Sequence, residues 1–377
     1  MPVMQGSIIK TWLLVGGLCT VLFSCSKNDG PAEEPGENWP SDSIRVVKSG
    51  LQFPWEILWG KDDHIWMTER GGRVSKIDPR TGETVFSTAI SGVVARGEGG
   101  LLGMVQDPGF QQNGLIYLVH NYLAGDVYRE KLVRYRFADN ALGEETVLLD
   151  NIPAANVHNG SRLVVVEGNP AVLYMTTGDA ANTDLPQQRS SLAGKVVRVL
   201  LDGSVPADNP VAGSYYWSLG HRNPQGLVWA KNRLYAAEHG PSLEDEINII
   251  VKGANYGWPA VNGSCDAPEQ AFCAANQVVE PIWSSGSATV AACGLDYYNH
   301  DRVGAWKNAL LMTSLKNARL YVHTLNGDGS SITGTRTYFQ NSWGRLRDIC
   351  VSPAGRVYLC TSNGNSQDLL VEISALE

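Results

Sequence analysis

The sequence has no run of lysine and arginine, and its net charge is −8. Together these argue against nucleic acid as a partner. Its seven cysteines include no CxxC pair and no Cys/His spacing of the kind that binds zinc. No long amphipathic helical pattern stands out, which disfavours a helical bundle. The apolar run from Trp12 to Phe23 is shorter than the ~18–20 residues a membrane span needs. What is abundant is glycine, with 40 residues, and tryptophan, with 11. Short apolar segments broken by Gly- and Asn-rich turns point to an all-β protein. A chain of 377 residues is long enough for a large core.

The N-terminus reads as a targeting segment. Lys10 precedes the apolar run, and Leu22-Phe23-Ser24-Cys25 looks like a bacterial lipobox. Residues 1–25 are expected to be a lipoprotein signal ending at Cys25, whose lipid would be the only membrane contact. An ordinary signal peptide cleaved nearby is the alternative. Residues 26–43, with their Pro, Glu, Gly and Asn, read as a flexible tether, and 44–377 as the folded domain. The expected location is an exported, membrane-anchored one, periplasmic or at the cell surface. Export favours disulfides. With Cys19 in the signal and Cys25 lipidated, five cysteines remain. Cys265 and Cys273 flank a polar loop and are the favoured pair; Cys273 with Cys293 is the alternative. Cys350 and Cys360 lie on successive apparent strands and fit buried apolar positions.

Internal repetition gives the architecture. HIWMTERGGRV (64–74), VLYMTTGDA (172–180), RLYAAEHGP (233–241), ALLMTSLKN (309–317) and RVYLCTSNG (356–364) are each an apolar strand ending in a polar turn. Most follow an earlier apolar run across a short loop. A propeller blade is a four-stranded sheet of ~40–60 residues, so six blades fit. A β-helix would repeat at a shorter period, and two sandwiches would not explain the recurring strand ends. In a six-bladed β-propeller, equivalent strands end on one face. Glu69-Arg70, Asp179, His239-Gly240, Lys316 and Asn363 should therefore meet at one polar rim.

The most informative stretch is Gly220 to Pro259. His221-Arg222-Asn223 and Glu238-His239-Gly240-Pro241 are separated by an apparent β-hairpin that turns at Lys231-Asn232, so the two polar clusters can approach. Asp245-Glu246 and Asn255-Tyr256-Gly257-Trp258-Pro259 follow. GHRNPQGL, EHGP, DEIN and NYGWP occur here in order, and on them the chain resembles the soluble quinoprotein glucose dehydrogenase and aldose sugar dehydrogenase family. The likeness extends over roughly Leu51 to Ile373. It implies hydride transfer from an aldose to pyrroloquinoline quinone (PQQ) in the presence of calcium, giving a lactone. An external electron acceptor would then reoxidise the cofactor.

Residue by residue, the resemblance implies the following roles. His158, in HNGSRL, is the general base, a task that suits a side chain titrating near neutrality. Asp179, in TTGD, orients it, and Asp245 stands near the histidine and the substrate. Arg222 and Asn223 polarise the quinone carbonyl under attack, where positive charge stabilises a developing oxyanion. Glu98 stands where the family has a glutamine bound to the quinone, so that it and His158 are also expected among the cofactor contacts, and Ser161 stands where the family has glycine. Lys316, Arg345 and Arg347 would grip the three carboxylates of PQQ; His239 and Thr289 complete the cofactor contacts. Gly240 and Pro241 would offer carbonyl oxygens to a catalytic calcium, and Glu246 and Tyr256 would serve a second, structural one. Two other readings compete: a calcium-dependent propeller lactonase, and a non-catalytic binding propeller on a lipid tether.

Overall fold

The computed structural model describes residues 39–376. The expected signal segment, Cys25 and most of the expected tether lie outside the described residues. Among the described residues, twenty-four strands form six four-stranded antiparallel sheets. The innermost strands are Pro54–Trp59, Leu101–Gln106, Gly160–Val166, Pro224–Ala230, Ala292–Tyr298 and Leu346–Val351. Each contacts the next, and the last contacts the first, so they close a ring. This is the six-bladed β-propeller expected from the repeats. Helix is confined, among the described residues, to Phe110–Asn113, Gln270–Asn276 and the 3-10 turn Gly304–Trp306.

The five recurring segments are the second strands of blades 1, 3, 4, 5 and 6. They read as continuous apolar runs because both faces of each sheet are covered. Val172–Thr177 and Ala309–Ser314, for example, are buried at every position. The core is accordingly divided into six apolar layers, one between each pair of neighbouring sheets. The hairpin of blade 4 turns at Lys231 and Asn232, both with positive φ (49° and 58°), as a tight two-residue turn requires.

Ile44–Leu51 closes the ring by pairing antiparallel with Asp368–Ile373, the third strand of blade 6. Arg45 and Arg356 both meet the buried Glu372, each at 2.6 Å. Trp39, within the stretch expected to be tether, donates its indole N–H to the same carboxylate at 3.1 Å. Neighbouring blades are also stitched by threonines. The Thr68 hydroxyl donates to the Leu102 carbonyl, Thr176 to that of Pro224 and Thr313 to that of Arg347. Cys265 and Cys273 form the favoured disulfide, and the described Cys293, Cys350 and Cys360 are buried thiols.

Candidate active site

Each innermost strand starts at one end of the axis, and in antiparallel register the second strands end there, as Pro54 against Glu69 and Pro224 against Glu238 show. That end holds a cleft of about 700 Å³. Glu98, His158, Arg222, Asn223, His239, Thr289, Lys316, Arg345 and Arg347 all line it, with Gly240 and Pro241. Arg70, Lys316 and Asn363, predicted to share a rim from repetition alone, line it too.

His158 sits in a tight connection entering blade 3, with φ of +60°. Gly178 makes this approach possible, since a Cβ there would lie 1.9 Å from the His158 carbonyl oxygen. The imidazole Nδ1 is 2.8 Å from Asp179 Oδ1. Asp179 is fixed in turn, because its carboxylate accepts from the Ala181 amide at 2.8 Å and from the Trp258 indole at 2.9 Å. With Nδ1 engaged, Nε2 is the nitrogen left for chemistry in the cleft. Asp179 is itself buried and stands behind the histidine, as an orienting group should.

The blade 4 hairpin brings the two polar clusters together as expected. Pro224 pairs with Glu238. The Glu238 carboxylate accepts from the backbone N–H groups of Arg222 and Asn223 and meets His221 Nδ1 at 2.9 Å. His221 is thereby a structural residue, stacked on Tyr256 at 4.6 Å. Glu238 holds the Arg222 backbone and leaves the guanidinium free to reach the cleft, where Nη1 donates to the His239 carbonyl at 3.4 Å. Burial is the main force lowering the Arg222 pKa, against the pull of Asp179, Glu238 and Glu98. Burial likewise pushes His239 down to about 4, so its ring is neutral. Of the side-chain donors at the cleft, Arg222 Nε, Arg347 Nε and His239 Nε2 are buried without a hydrogen-bond partner, as are several donors elsewhere among the described residues, Arg162 Nη2 included.

Five cationic side chains, Arg70, Arg222, Lys316, Arg345 and Arg347, face a single carboxylate, Glu98, among the described residues lining the cleft. Unpaired donors and surplus positive charge suit a ligand with several anionic oxygens. Glu98 is placed beside His158, accepting from its amide at 3.3 Å. Ser161, at the family's glycine position, has φ of +77° and gives its hydroxyl to the buried Glu130 at 2.6 Å.

Besides Asp179 behind the histidine and the buried Glu69 of the expected rim, three expected residues stand apart from the cleft lining. Asp245 is fully buried beneath the Gly240 loop. Its carboxylate accepts from the Gly240, Val290 and Ala292 amides and from the Thr289 hydroxyl. It shapes the cleft wall through those bonds, and no contact to His158 accompanies them. Glu246 and Tyr256 line a small adjoining cavity of about 10 Å³, together with Glu238 and Glu244, with Arg222, His239 and Gly240 shared between it and the cleft. Burial, then the nearby Glu238, pushes Glu246 up to about 8. Among the described residues, no group of three or more His, Cys, Asp or Glu side chains is arranged to hold a metal ion.

Gln225, Phe53 and Trp258 had no assigned role from the sequence. Gln225 forms part of the floor, accepting from Arg347 Nη1 at 2.8 Å. It and Trp258 fall inside the motif-rich stretch, so only their side-chain direction was hidden. Phe53 carries no motif.

The chain matches the family described as Glucose / Sorbosone dehydrogenase over residues 51–371. It is 30% identical to quinoprotein glucose dehydrogenase B of Acinetobacter calcoaceticus, over 86% of each chain. Among solved structures, the PQQ-bound aldose sugar dehydrogenase of Streptomyces coelicolor aligns with a TM-score of 0.74 at 28% identity. That alignment covers 88% of this chain and 99% of that one. The apo-form soluble aldose sugar dehydrogenase of Escherichia coli aligns with a TM-score of 0.76 at 28% identity, over 87% and 98%.

Proposed function

The chain belongs to the Glucose / Sorbosone dehydrogenase family, whose enzymes are sugar-oxidising oxidoreductases, and on that premise we propose that it oxidises an aldose at the anomeric carbon to a lactone, using PQQ and calcium. The observation that carries this reading is the pairing of a carboxylate-oriented histidine with a cleft of unpaired cations. A neutral ligand would leave those cations without counter-charge.

His158 Nε2 takes the proton of the C1 hydroxyl while Asp179 stabilises the imidazolium that results. Trp258 keeps the Asp179 carboxylate turned toward the ring. PQQ, when bound, would supply the hydride acceptor and calcium a Lewis acid. Arg222 and Asn223 face the region where negative charge grows, and Lys316, Arg345 and Arg347 hold the cofactor's carboxylates. Gly240 and Pro241 would hold the catalytic calcium through backbone oxygens. The small acidic cavity of Glu246 and Tyr256 would take a second calcium, with a carboxylate and a backbone carbonyl as hard oxygen ligands. An external acceptor completes the cycle. The sequence around Cys25 supports an exported lipoprotein tethered by its lipid, so that the acceptor would be met in the periplasm or at the cell surface.

The test compares wild type with His158→Ala in PQQ uptake, dye reduction and product analysis. The variant should take up PQQ as wild type does and lose dye reduction by about 10²–10⁴-fold, the range of a general base. Normal turnover by the variant would remove His158 from the reaction. A free acid appearing before any lactone would contradict the proposed product.

A further inference from the structure

Phe53, between the first two strands, has φ of +51°, a conformation that costs a bulky residue energy. The turn is braced from several sides. Its amide donates to Asp368 at 2.9 Å, and its carbonyl accepts from the Arg70 amide at 3.0 Å. The same Asp368 carboxylate accepts from the Gly364 amide at 3.1 Å. Gly364 leaves room for the ring, since a Cβ there would lie 2.4 Å from Phe53 Cζ. The strained turn thus puts an aromatic face at the cleft, and the Arg70 guanidinium lies over it, 4.4 Å from the ring centroid.

We propose that Arg70, seated on Phe53, is a further cofactor-binding residue of this cleft, and that its charge is what allows Glu98 to stand where an anionic ligand must bind. This rests on the PQQ reading above. In that reading Lys316, Arg345 and Arg347 answer three carboxylates and Arg222 answers the quinone carbonyl. Arg70 and Glu98 are the opposite charges left over. They are neighbours across a blade boundary: the Leu101 amide donates to the Arg70 carbonyl at 2.9 Å, three residues after Glu98. Burial lowers the Arg70 pKa foremost and Arg347 lowers it further, while Glu98 opposes both. Like-charged neighbours on one side and a carboxylate on the other are the surroundings of a counter-charge. A planar cation stacked on a ring also presents a flat surface to a planar ligand.

The experiment measures PQQ affinity of the calcium-loaded protein by absorbance titration, with no sugar present. Wild type, Arg70→Met, Glu98→Gln and the double variant are compared, with apo melting curves as a folding check. Arg70→Met should weaken PQQ binding at least about tenfold, the scale of a lost charged hydrogen bond. In the Glu98→Gln background that penalty should shrink at least about threefold, because the carboxylate to be offset is gone. Arg70→Lys, which keeps the charge, should bind closer to wild type than Arg70→Met does. PQQ affinity unchanged in Arg70→Met would overturn the inference while leaving the PQQ reading in place. An equal penalty in both backgrounds would overturn the counter-charge role. Failure of wild type to bind PQQ would instead bring down the functional reading, and this inference with it.

Discussion

Arg162 and Arg222 lie one blade apart, and they are opposite kinds of arginine. Arg162 sits in the axis beneath the cleft, with Glu56 at 2.7 Å, Asp348 at 2.9 Å and the Trp55 ring at 4.2 Å. Burial works against its charge, but Asp348 and Glu56 outweigh burial and hold its pKa above the ordinary arginine value. Arg222 faces the cleft. There burial outweighs Asp179 and Glu238, and its pKa is lowered. One layer is charge-compensated within the protein; the layer above it is not. The difference marks where structure ends and ligand binding begins, because a half-buried charge kept without an ion-pair partner has a use outside the fold.

The sharpest way to break this comparison is to remove each arginine in turn. Arg162→Met should destabilise the protein by about 3–5 kcal/mol, since it strands Glu56 and Asp348 in the axis. Chemical denaturation reads this directly. Arg222→Met should leave apo stability within about 1 kcal/mol of wild type, yet lower PQQ-dependent dye reduction by about 10²–10³-fold. If the two variants behaved alike, the division into a structural and a functional layer would fail. Asp179→Asn tests the same division at the proposed base, His158. The asparagine oxygen can still accept from the Ala181 amide and so hold the loop, but the bond from Trp258 and the charge partner of His158 are lost, and turnover should fall about 10²-fold, well beyond any effect on melting temperature.

A last test concerns a group with no part in the cleft. His323 is buried in blade 5, its Nδ1 2.9 Å from the Thr335 hydroxyl and its Nε2 unpartnered. Burial lowers its pKa to about 3. The unfolded chain takes up this proton near pH 6.5 and the folded one only near 3. The contribution of neutral His323 is therefore complete above about pH 6.5 and declines as pH falls toward 3, by at most about 1.4 kcal/mol per unit. Melting temperature measured from pH 7 to 4 should fall less steeply in His323→Gln than in wild type.

The blade count was legible because second strands covered on both faces read as apolar runs that stop abruptly in polar turns. Blade 2 escaped that pattern. Its second strand, Leu115–Ala124, runs ten residues and passes the start of the innermost strand at His120 without turning at the rim. The cleft residues were legible for a related reason: strand ends of equivalent rank converge, and the long interrupted motif at Gly220–Pro259 fixed several of them. Asp245 shows the limit. Its sequence context placed it near the site, but whether its carboxylate faced substrate or backbone depended on the Thr289 loop, 44 residues away. Phe53 was invisible because its position depends on a positive φ and on space left by Gly364, neither of which a local pattern encodes.

The central claim is that the unpaired cations of the cleft are there for an anionic redox cofactor. The most direct measurement titrates apo-protein with PQQ, with and without calcium, and follows dye reduction by an aldose panel in the same samples. The account predicts saturable, calcium-dependent PQQ uptake and, in step with it, reduction by at least one aldose. A protein that takes up no PQQ while its cleft arginines are intact would contradict it.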